Sequence, residues 1–136
     1  MTKVIHRRYV SHGDAHYAGG LVDGAYALRI FGEIATELSI VDASDEGLLA
    51  GYESVAFHTP IYAGDIVEAH GEIVSAGRRS RRVDLVAYVT ARGASDAAQS
   101  AATTLDPPIR AVTAVATLVV PEPAAPASAG AHTVGS

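Results

Sequence analysis

Only one stretch of this chain carries apolar residues at the spacing of a helix, and that restricts its possible folds more than any other feature. Between residues 21 and 40, apolar side chains recur every three or four positions, which is the period of an amphipathic helix. The residues with this spacing are Leu21, Ala25, Leu28, Phe31, Ala35 and Leu38. Five other segments are predicted as strands, at residues 3–10, 48–57, 66–75, 83–91 and 110–120.

This order of elements, one strand, one long helix and four further strands, predicts an α+β domain. A doubly wound parallel sheet is excluded because it needs strands and helices that alternate along the chain. A curled antiparallel five-stranded sheet wrapped around the single long helix satisfies the order. No internal repeat is present, so solenoids and propellers are also excluded.

The length of 136 residues suits one compact domain with a single core. We expect that domain to span residues 1–120. The remaining residues, 121–136, are mostly Pro, Ala, Gly and Ser, with few side chains that a core would bury. This composition predicts a disordered Pro/Ala-rich tail.

Charge and composition exclude several classes of function. Ten Lys and Arg against fifteen Asp and Glu give a formal net charge of −5, so the chain lacks the basic character of a nucleic-acid-binding protein. It has no Cys, which excludes disulfides, thiolate nucleophiles, iron–sulfur clusters and Cys-type zinc sites. No apolar run approaches the ~20 residues of a membrane span. We therefore expect a cytoplasmic protein with neither nucleic acid nor membrane as a partner.

The densest group of chemically active side chains lies in the loop before the helix. His12, Asp14 and His16 alternate there and are followed by Tyr17. In an extended chain this alternation places three metal-ligating side chains on one side, so a metal site is one interpretation. The alternative is structural: Asp14 caps a turn and His16 is a hydrogen-bonded loop residue.

Two carboxylates, Glu33 and Glu37, stand one turn apart on the predicted helix, in a stripe shared with Tyr26 and Ile30. If this side faces solvent, the pair is only a like-charge repulsion of roughly a few tenths of a kcal/mol. If the sheet wraps around the helix, burial raises the pKa of a carboxyl group toward neutrality, where it can shuttle a proton. Both interpretations are open at this stage.

Two further segments are ambiguous. His58, just after the strand at residues 48–57, either projects into a pocket or packs as a hydrogen-bonded core residue. Residues 77–82 hold four of the ten basic residues, either as a phosphate site for a nucleotide or carrier or as a solvated turn. The motifs G-x-G-x-x-G, G-x-x-x-x-G-K-[ST] and G-x-S-x-G are absent.

Four segments of the sequence form a longer pattern. They are SHGDAHYAGGLVDGA at residues 11–25, FGEIATEL at 31–38, DEGLLAGYESVAF at 45–57 and PIYAGDIVEAHGEI at 60–73. Together they resemble the β-aminoacyl-CoA ammonia-lyases, a family that includes 3-aminobutyryl-CoA and β-alanyl-CoA types. The resemblance covers about residues 6–120. It implies the hotdog fold, in homodimers or dimer-based hexamers with active sites between subunits.

The resemblance also implies a reaction, the reversible loss of ammonia from a 3-aminoacyl-CoA to give a 2-enoyl-CoA. This chemistry needs a base for the Cα proton, stabilisation of the thioester enolate and a site for the amine, but neither a redox cofactor nor a metal. No cofactor is therefore expected. The substrate is a thioester on CoA or on the phosphopantetheine of a carrier protein.

The same resemblance assigns residues to this reaction. The catalytic set is Asp14, His16, Tyr17 and Glu37. The expected substrate-binding set is Gly19, Gly20, Asp23, Gly24 and Glu33, and His58 is added to it because it flanks the expected pocket. Glu37 is expected to shuttle the proton, while Asp14 and His16 orient the substrate and its ammonium group. Tyr17 is a proton donor or a pocket wall, and backbone N–H groups at the helix start are directed at the thioester oxygen.

Two positions depart from the family pattern. Gly20 stands where family members have Asn, and His58 stands where they have a small or apolar residue. Because both flank the expected pocket, the amine or the acyl group can differ from that of the family. One alternative is an aza-Michael addition of an amine such as glycine to an enoyl thioester on CoA or a carrier protein. The other two are a hotdog thioesterase and a non-catalytic acyl-thioester-binding protein.

Overall fold

The computed structural model describes residues 2–94 and 96–121. The helix α1 spans Ala25–Ala43, and the five strands are β1 Lys3–Tyr9, β2 Leu48–Phe57, β3 Ile66–Ala76, β4 Ser80–Gly93 and β5 Ala102–Val119. Residues 122–136, which make up most of the predicted tail, lie outside the described residues. Within the described ranges, no helix is long and apolar enough to cross a membrane.

The five strands form one antiparallel sheet in the order β1-β3-β4-β5-β2, and α1 packs against one of its faces. Alternate side chains of the three central strands are buried in the core. They are Val67, Ala69, Ile73, Val83, Leu85, Ala87, Val89, Val112, Ala114, Ala116 and Leu118. The helix adds the buried side chains of Phe31, Ile34 and Leu38. The predicted α+β arrangement of a five-stranded antiparallel sheet around one helix is confirmed.

The helix approaches the sheet very closely at Gly71 on β3. A Cβ atom at this position would lie 2.3 Å from Ile34 Cγ2 and 3.2 Å from Leu38 Cδ1. The first of these distances is far shorter than any van der Waals contact, so only glycine fits here without a shift of the helix. The lack of a side chain at position 71 therefore sets the distance between α1 and the sheet.

The helix begins at Ala25, four residues later than the apolar spacing predicts. The backbone of the two preceding apolar residues is used elsewhere: Val22 N–H donates to Ile61 O at 3.0 Å, and Leu21 forms a bridge with Tyr62. Val22 is nevertheless buried in the same core. The apolar period thus continues through an extended segment that enters the core just before the helix.

The last strand, β5, begins at Ala102 and is much longer than predicted. The small side chains and two prolines of residues 93–108 predict a connection, because proline lacks the N–H donor of a strand. In the structure, Pro107 and Pro108 fall at a shift in the register between β4 and β5, where the ladder is interrupted. The two strands therefore pair on both sides of the prolines.

The two edge strands differ in how they meet the helix. β1 directs His6 and Arg8 toward α1, where both contact helix carboxylates. Within the described part of the chain, β2 has a hydrogen-bonded neighbour, β5, on one side only, and exposed Leu48 and Phe57 lie at its two ends. β1 is thus the edge strand that contacts the carboxylates of α1, whereas β2 carries exposed apolar side chains at its ends.

Candidate active site

A cleft of about 350 Å³ opens beside the start of α1 and gathers several of the predicted residues. Asp14 and His16 reach it from the loop that follows β1, and Asp23 from the residues just before the helix. Tyr26 and Arg29 complete its wall from the first turns of α1, where residues three apart share one face. We call this the loop cleft.

His16 and Asp23 form a close pair in the loop cleft. His16 Nε2 lies 2.6 Å from Asp23 Oδ2. The pKa of Asp23 is lowered mainly by this hydrogen bond. Hydrogen bonds from the backbone N–H groups of Tyr26 and Ala25 lower it further, and partial desolvation acts in the opposite direction. Asp23 is therefore a carboxylate at the N-terminus of α1, where the helix dipole favours a negative charge.

Tyr26 is a buried wall of the loop cleft, only 7% exposed. Burial raises the pKa of its phenol, and the charge of Asp14 raises it further, while Arg8 and Arg29 act in the opposite sense. The phenol is therefore neutral and can donate a hydrogen bond to a ligand. Sequence reasoning missed Tyr26 as a site residue, although a hydroxyl-bearing aromatic residue just after a loop rich in His and Asp is a detectable signal.

Asp14 faces Arg29 across the loop cleft. Asp14 Oδ1 and Arg29 Nη2 are 3.6 Å apart, longer than a hydrogen bond, and both side chains are partly open to solvent. Asp14 does not cap the turn at His12–Asp14; Ser11 does, by accepting Gly13 N–H at 3.1 Å. The capping role considered for Asp14 is therefore wrong, and its carboxylate has acceptor capacity for a ligand. Arg29 is a second cleft residue that sequence reasoning missed.

Glu33 and Glu37 lie outside the loop cleft, farther along α1, and each is matched by a basic residue of β1. Glu37 Oε1 lies 2.7 Å from His6 Nε2, and Glu33 forms an ion pair with Arg8. The two pairs can form side by side because the spacing on the strand matches the spacing on the helix. Alternate residues of a strand stand ~6.6 Å apart, and residues one turn apart on a helix stand ~6 Å apart.

The surroundings of these two glutamates differ from the desolvated stripe considered from the sequence. Both side chains are about half exposed, at 50% for Glu37 and 48% for Glu33. Within the chain, the contacts of these two glutamates with basic residues of β1 define their environment, and burial by the sheet does not. Glu37 also lies eight residues beyond Arg29, which is ~12 Å along the helix axis. One chain therefore does not bring Glu37 and Asp14 to the same cleft.

A second cleft, of about 410 Å³, adjoins the helix start and is largely apolar. We call it the apolar cleft. It is lined by Leu21, Val22, Asp23, Gly24, Ala27, residues 57–61 and Val112. Asp23 lines this cleft as well as the loop cleft. The residues that lead into α1 thus stand between an apolar space and a polar one.

The end of β2 forms one wall of the apolar cleft. His58 lines the cleft, and its Nε2 lies 2.8 Å from Thr113 Oγ1, so the ring is both exposed and hydrogen-bonded. The ring of Phe57 packs on Gly24, where a Cβ atom would lie 2.9 Å from Phe57 Cζ. The glycine at the helix start therefore leaves room for this ring.

The other predicted residues shape the loop and line neither of these two clefts. Gly19 and Gly20 have φ angles of 80° and 76°, a conformation that favours glycine. Gly20 O accepts Ala63 N–H at 2.8 Å. Tyr17 is about half exposed, and its ring centre lies 4.5 Å from that of His16.

The side chains of the loop are paired in a way that does not form a metal site. Asp14 faces Arg29, and His16 pairs with Asp23. Among residues 2–94 and 96–121, no group of three or more His, Asp or Glu side chains is placed to hold a metal ion.

The basic turn at residues 77–82 is partly used for ion pairs within the chain. Arg81 Nε lies 2.7 Å from Asp42 Oδ2, and Arg82 pairs with Glu53. Both guanidinium groups are neutralised by carboxylates of the same chain, which favours the structural interpretation of this turn over a phosphate site.

Comparisons with known proteins agree with the sequence pattern. No family model matches the chain. Over 122 residues the chain is 43% identical to the 3-aminobutyryl-CoA ammonia lyase of Acetoanaerobium sticklandii, an alignment that covers 90% of this chain and 96% of that protein.

Two solved structures show the same arrangement. The β-alanyl-CoA:ammonia lyase from Clostridium propionicum is similar with a TM-score of 0.83 and 34% identity, over 88% of this chain and 85% of that one. A hexameric hotdog fold thioesterase of Campylobacter jejuni has a TM-score of 0.69 and 18% identity, over 84% and 79% of the two chains. The predicted hotdog fold is confirmed.

Proposed function

The chain belongs to the 3-aminobutyryl-CoA ammonia lyase family, and from this we infer that it is a carbon–nitrogen lyase acting on acyl thioesters. Its reaction is the reversible elimination of ammonia from a 3-aminoacyl-CoA, which gives a 2-enoyl-CoA. The observation that carries this conclusion is the 43% identity over 90% of the chain and 96% of the relative. The loop cleft supports it, because carboxylate, imidazole and phenol groups suit an elimination by acid–base catalysis.

The elimination breaks a C–H bond at Cα and a C–N bond at Cβ. A base takes the Cα proton, the electron pair forms the Cα=Cβ double bond, and the protonated amine leaves as neutral ammonia with the C–N electrons. The base then releases its proton to ammonia or solvent. The reaction therefore needs a carboxylate base, a donor for the thioester oxygen and an anionic surface for the substrate ammonium group.

We assign the anionic surface to the loop cleft. Asp14 has one long ionic contact there, at 3.6 Å, and Asp23 is held as a carboxylate by His16. An ammonium group between these two carboxylates forms charge-assisted hydrogen bonds. Tyr26 supplies a neutral donor on the same wall. Tyr17, whose ring contacts that of His16, is assigned to the rim of the cleft as a wall or proton donor.

Glu37 is assigned the proton shuttle at Cα. Its partner His6 can exchange a proton with it across their 2.7 Å contact. Glu33, one turn earlier on the same face, borders the substrate in this proposal. Because Glu37 lies ~12 Å along the helix from the loop cleft, it acts on the same substrate as Asp14 only if a second subunit provides one of the two. The assignment therefore calls for an active site between subunits.

The thioester is assigned to the apolar cleft at the helix start. Gly24 lines this cleft at the N-terminus of α1, where backbone N–H groups and the helix dipole stabilise a developing oxyanion. Val22 does not take part, since its N–H already donates to Ile61 O. The acyl chain packs on the apolar lining. His58 then lies beside the substrate, where it contacts a polar substituent of the amine or acyl group.

We propose CoA thioesters as substrates, with carrier-protein thioesters as the alternative, and a homodimer or dimer-based hexamer as the working form. The edge strand β2 supports self-association, because its outer backbone groups have no strand partner within residues 2–94 and 96–121. Exposed Leu48 and Phe57 add apolar surface at its ends.

Since the proposed substrate is an acyl-CoA, we place the protein in the cytoplasm. The proposed reaction needs no further cofactor.

Incubation of the protein with crotonyl-CoA and ammonium tests the reaction class by mass spectrometry. A product that keeps the thioester and gains the mass of one ammonia supports the proposal. Free thiol without this gain indicates a thioesterase. A parallel incubation with glycine identifies the amine, since a preferred glycine adduct favours the aza-Michael alternative. Binding of the thioester without any turnover indicates a non-catalytic acyl-thioester-binding protein.

A further inference from the structure

Asp65, at the end of the turn that leads into β3, has a fully buried side chain. Its carboxylate accepts hydrogen bonds from Tyr62 N–H at 2.8 Å and from Arg92 Nε and Nη2, both at 2.9 Å. Arg92 also donates to Pro60 O at 3.1 Å, and its guanidinium carbon lies 4.8 Å from the centre of the Tyr62 ring. One ion pair therefore holds the turn at residues 60–65 through side-chain and backbone contacts.

The turn at residues 60–65 also holds the backbone that leads into α1. Val22 N–H donates to Ile61 O at 3.0 Å, and Ala63 N–H donates to Gly20 O at 2.8 Å. The segment held in this way ends immediately before Asp23, which lines both clefts. A continuous series of hydrogen bonds thus connects the Asp65–Arg92 ion pair to the start of the helix.

A tight turn alone does not need this ion pair. Gly64 already supplies the left-handed backbone conformation, with a φ of 87°. An Asp–Arg pair with a fully buried carboxylate adds little net stability over apolar residues of the same size, because the desolvation of the charge offsets the attraction. Arginine does, however, bind a carboxylate through two parallel N–H groups, which defines one geometry. Here the pair fixes the position of the turn at residues 60–65. Through the turn it also fixes the backbone at residues 20–24, which we call the helix entry.

We propose that Arg92 and Asp65 are positioning residues of the active site, which hold Asp23 and the start of α1 in place through the turn between them. The proposal rests on the proposed function, because the reaction at the helix start is what requires the alignment. Neither residue lines the loop cleft or the apolar cleft, to which the proposed function assigns the amine and the thioester. A misplacement of about 1 Å at a reacting group can lower a rate about 100-fold.

The test uses Arg92→Lys and Asp65→Asn, with Asp42→Asn as a matched control. Asp42 Oδ2 lies 2.7 Å from Arg81 Nε. Arg81 stands near the start of β4 and Arg92 near its end. Asp42 lines neither cleft. The kinetics of ammonia addition to crotonyl-CoA give kcat and KM, and thermal unfolding gives Tm. Hydrogen exchange of the peptide that covers residues 17–26 reports how firmly the helix entry is held.

We expect Arg92→Lys and Asp65→Asn to lower kcat by about 10- to 100-fold, with KM changed by less than about threefold. Exchange at residues 20–24 should accelerate in both variants at temperatures well below Tm. Asp42→Asn should keep the wild-type kcat and the wild-type exchange. Arg92→Lys preserves the charge, so it decides the question if Asp65→Asn fails to fold.

Two results overturn the positioning role. One is wild-type kcat together with wild-type exchange in Arg92→Lys. The other is an equal loss of kcat in Asp42→Asn, which indicates a general loss of stability. If the wild-type protein adds no ammonia to any enoyl thioester, the proposed function fails, and the exchange comparison between Arg92→Lys and Asp42→Asn still tests the positioning of the helix entry.

Discussion

Glu37 Oε1 lies 2.7 Å from His6 Nε2, a hydrogen bond between the middle of α1 and the edge strand β1. One turn earlier on the same helix face, Glu33 pairs with Arg8. The helix carboxylates therefore stand beside β1, away from Asp14 and the loop cleft. If a proton shuttle at Glu37 and an ammonium site at Asp14 serve one substrate, the two residues come from different subunits.

Glu37→Gln should lower kcat by at least about 100-fold, because general acid–base groups contribute about 10²–10⁴-fold and an amide cannot take up the proton. The change in stability should stay small, since the Glu37 side chain is 50% exposed and the amide oxygen of Gln can still accept a hydrogen bond. Ammonia addition and thermal unfolding measure the two effects. Glu53→Gln, which breaks the more exposed pair with Arg82, is the control and should keep wild-type rates. A wild-type kcat in Glu37→Gln removes Glu37 from the chemistry.

Mixing of Asp14→Asn and Glu37→Gln chains should restore activity that neither variant has alone. Random exchange of subunits gives heterodimers in which one of the two sites has both carboxylates, so roughly a quarter of the wild-type rate is expected for a two-fold symmetric dimer. The measurement is the rate of ammonia addition before and after unfolding and refolding the mixture. No recovery, with exchange of subunits verified by mass, contradicts a shared site.

Gly71→Ala should destabilise the fold because the new methyl group meets Ile34 Cγ2 at 2.3 Å. Overpacking of this kind costs about 1–3 kcal/mol in the free energy of unfolding. Urea unfolding measures it. Gly51→Ala on β2 is the matched control. Apart from Gly51 and its two chain neighbours, no described residue has an atom within 4 Å of the place that the new methyl group would occupy, so we expect a much smaller change. Equal effects at the two positions would mean that the close approach of α1 to β3 is not required.

Asp23→Asn should reduce stability in a pH-dependent way. The pKa of Asp23 is lowered in the folded protein, first by the hydrogen bond from His16. Because the folded-state pKa lies below that of the unfolded chain, the carboxylate stabilises the fold fully above about pH 5, and this contribution is lost as the pH falls through the folded-state pKa. Urea unfolding at neutral and acidic pH should show the difference between wild type and Asp23→Asn shrinking in acid. If the difference in unfolding free energy between wild type and Asp23→Asn does not change with pH, the pKa of Asp23 is not lowered by folding.

The fold was predictable because its signals are local. The helical period of residues 21–40 and the alternation in five other segments identify the elements, and their order leaves few topologies. Two boundaries were not predictable. Val22 continues the apolar period from an extended segment, because its backbone pairs with Ile61 and not with the helix. The length of β5 depends on pairing with β4 across Pro107, which no local pattern indicates.

The candidate site was predictable only where its residues are close in sequence. Asp14, His16 and Asp23 meet because a short loop brings them to the helix start. The contact between His6 and Glu37 joins residues 31 positions apart. It depends on the register of an edge strand against the sheet, and a sequence without related chains carries no signal for that register.

Conversion of 3-aminobutyryl-CoA by the wild-type protein tests most directly whether the chain breaks a carbon–nitrogen bond next to a thioester. We predict that enoyl-thioester absorbance rises together with an equimolar release of ammonia, while free thiol stays constant, and that Asp14→Asn slows both signals. Release of thiol without ammonia, or a substrate that remains intact with the folded protein present, would contradict the proposed reaction.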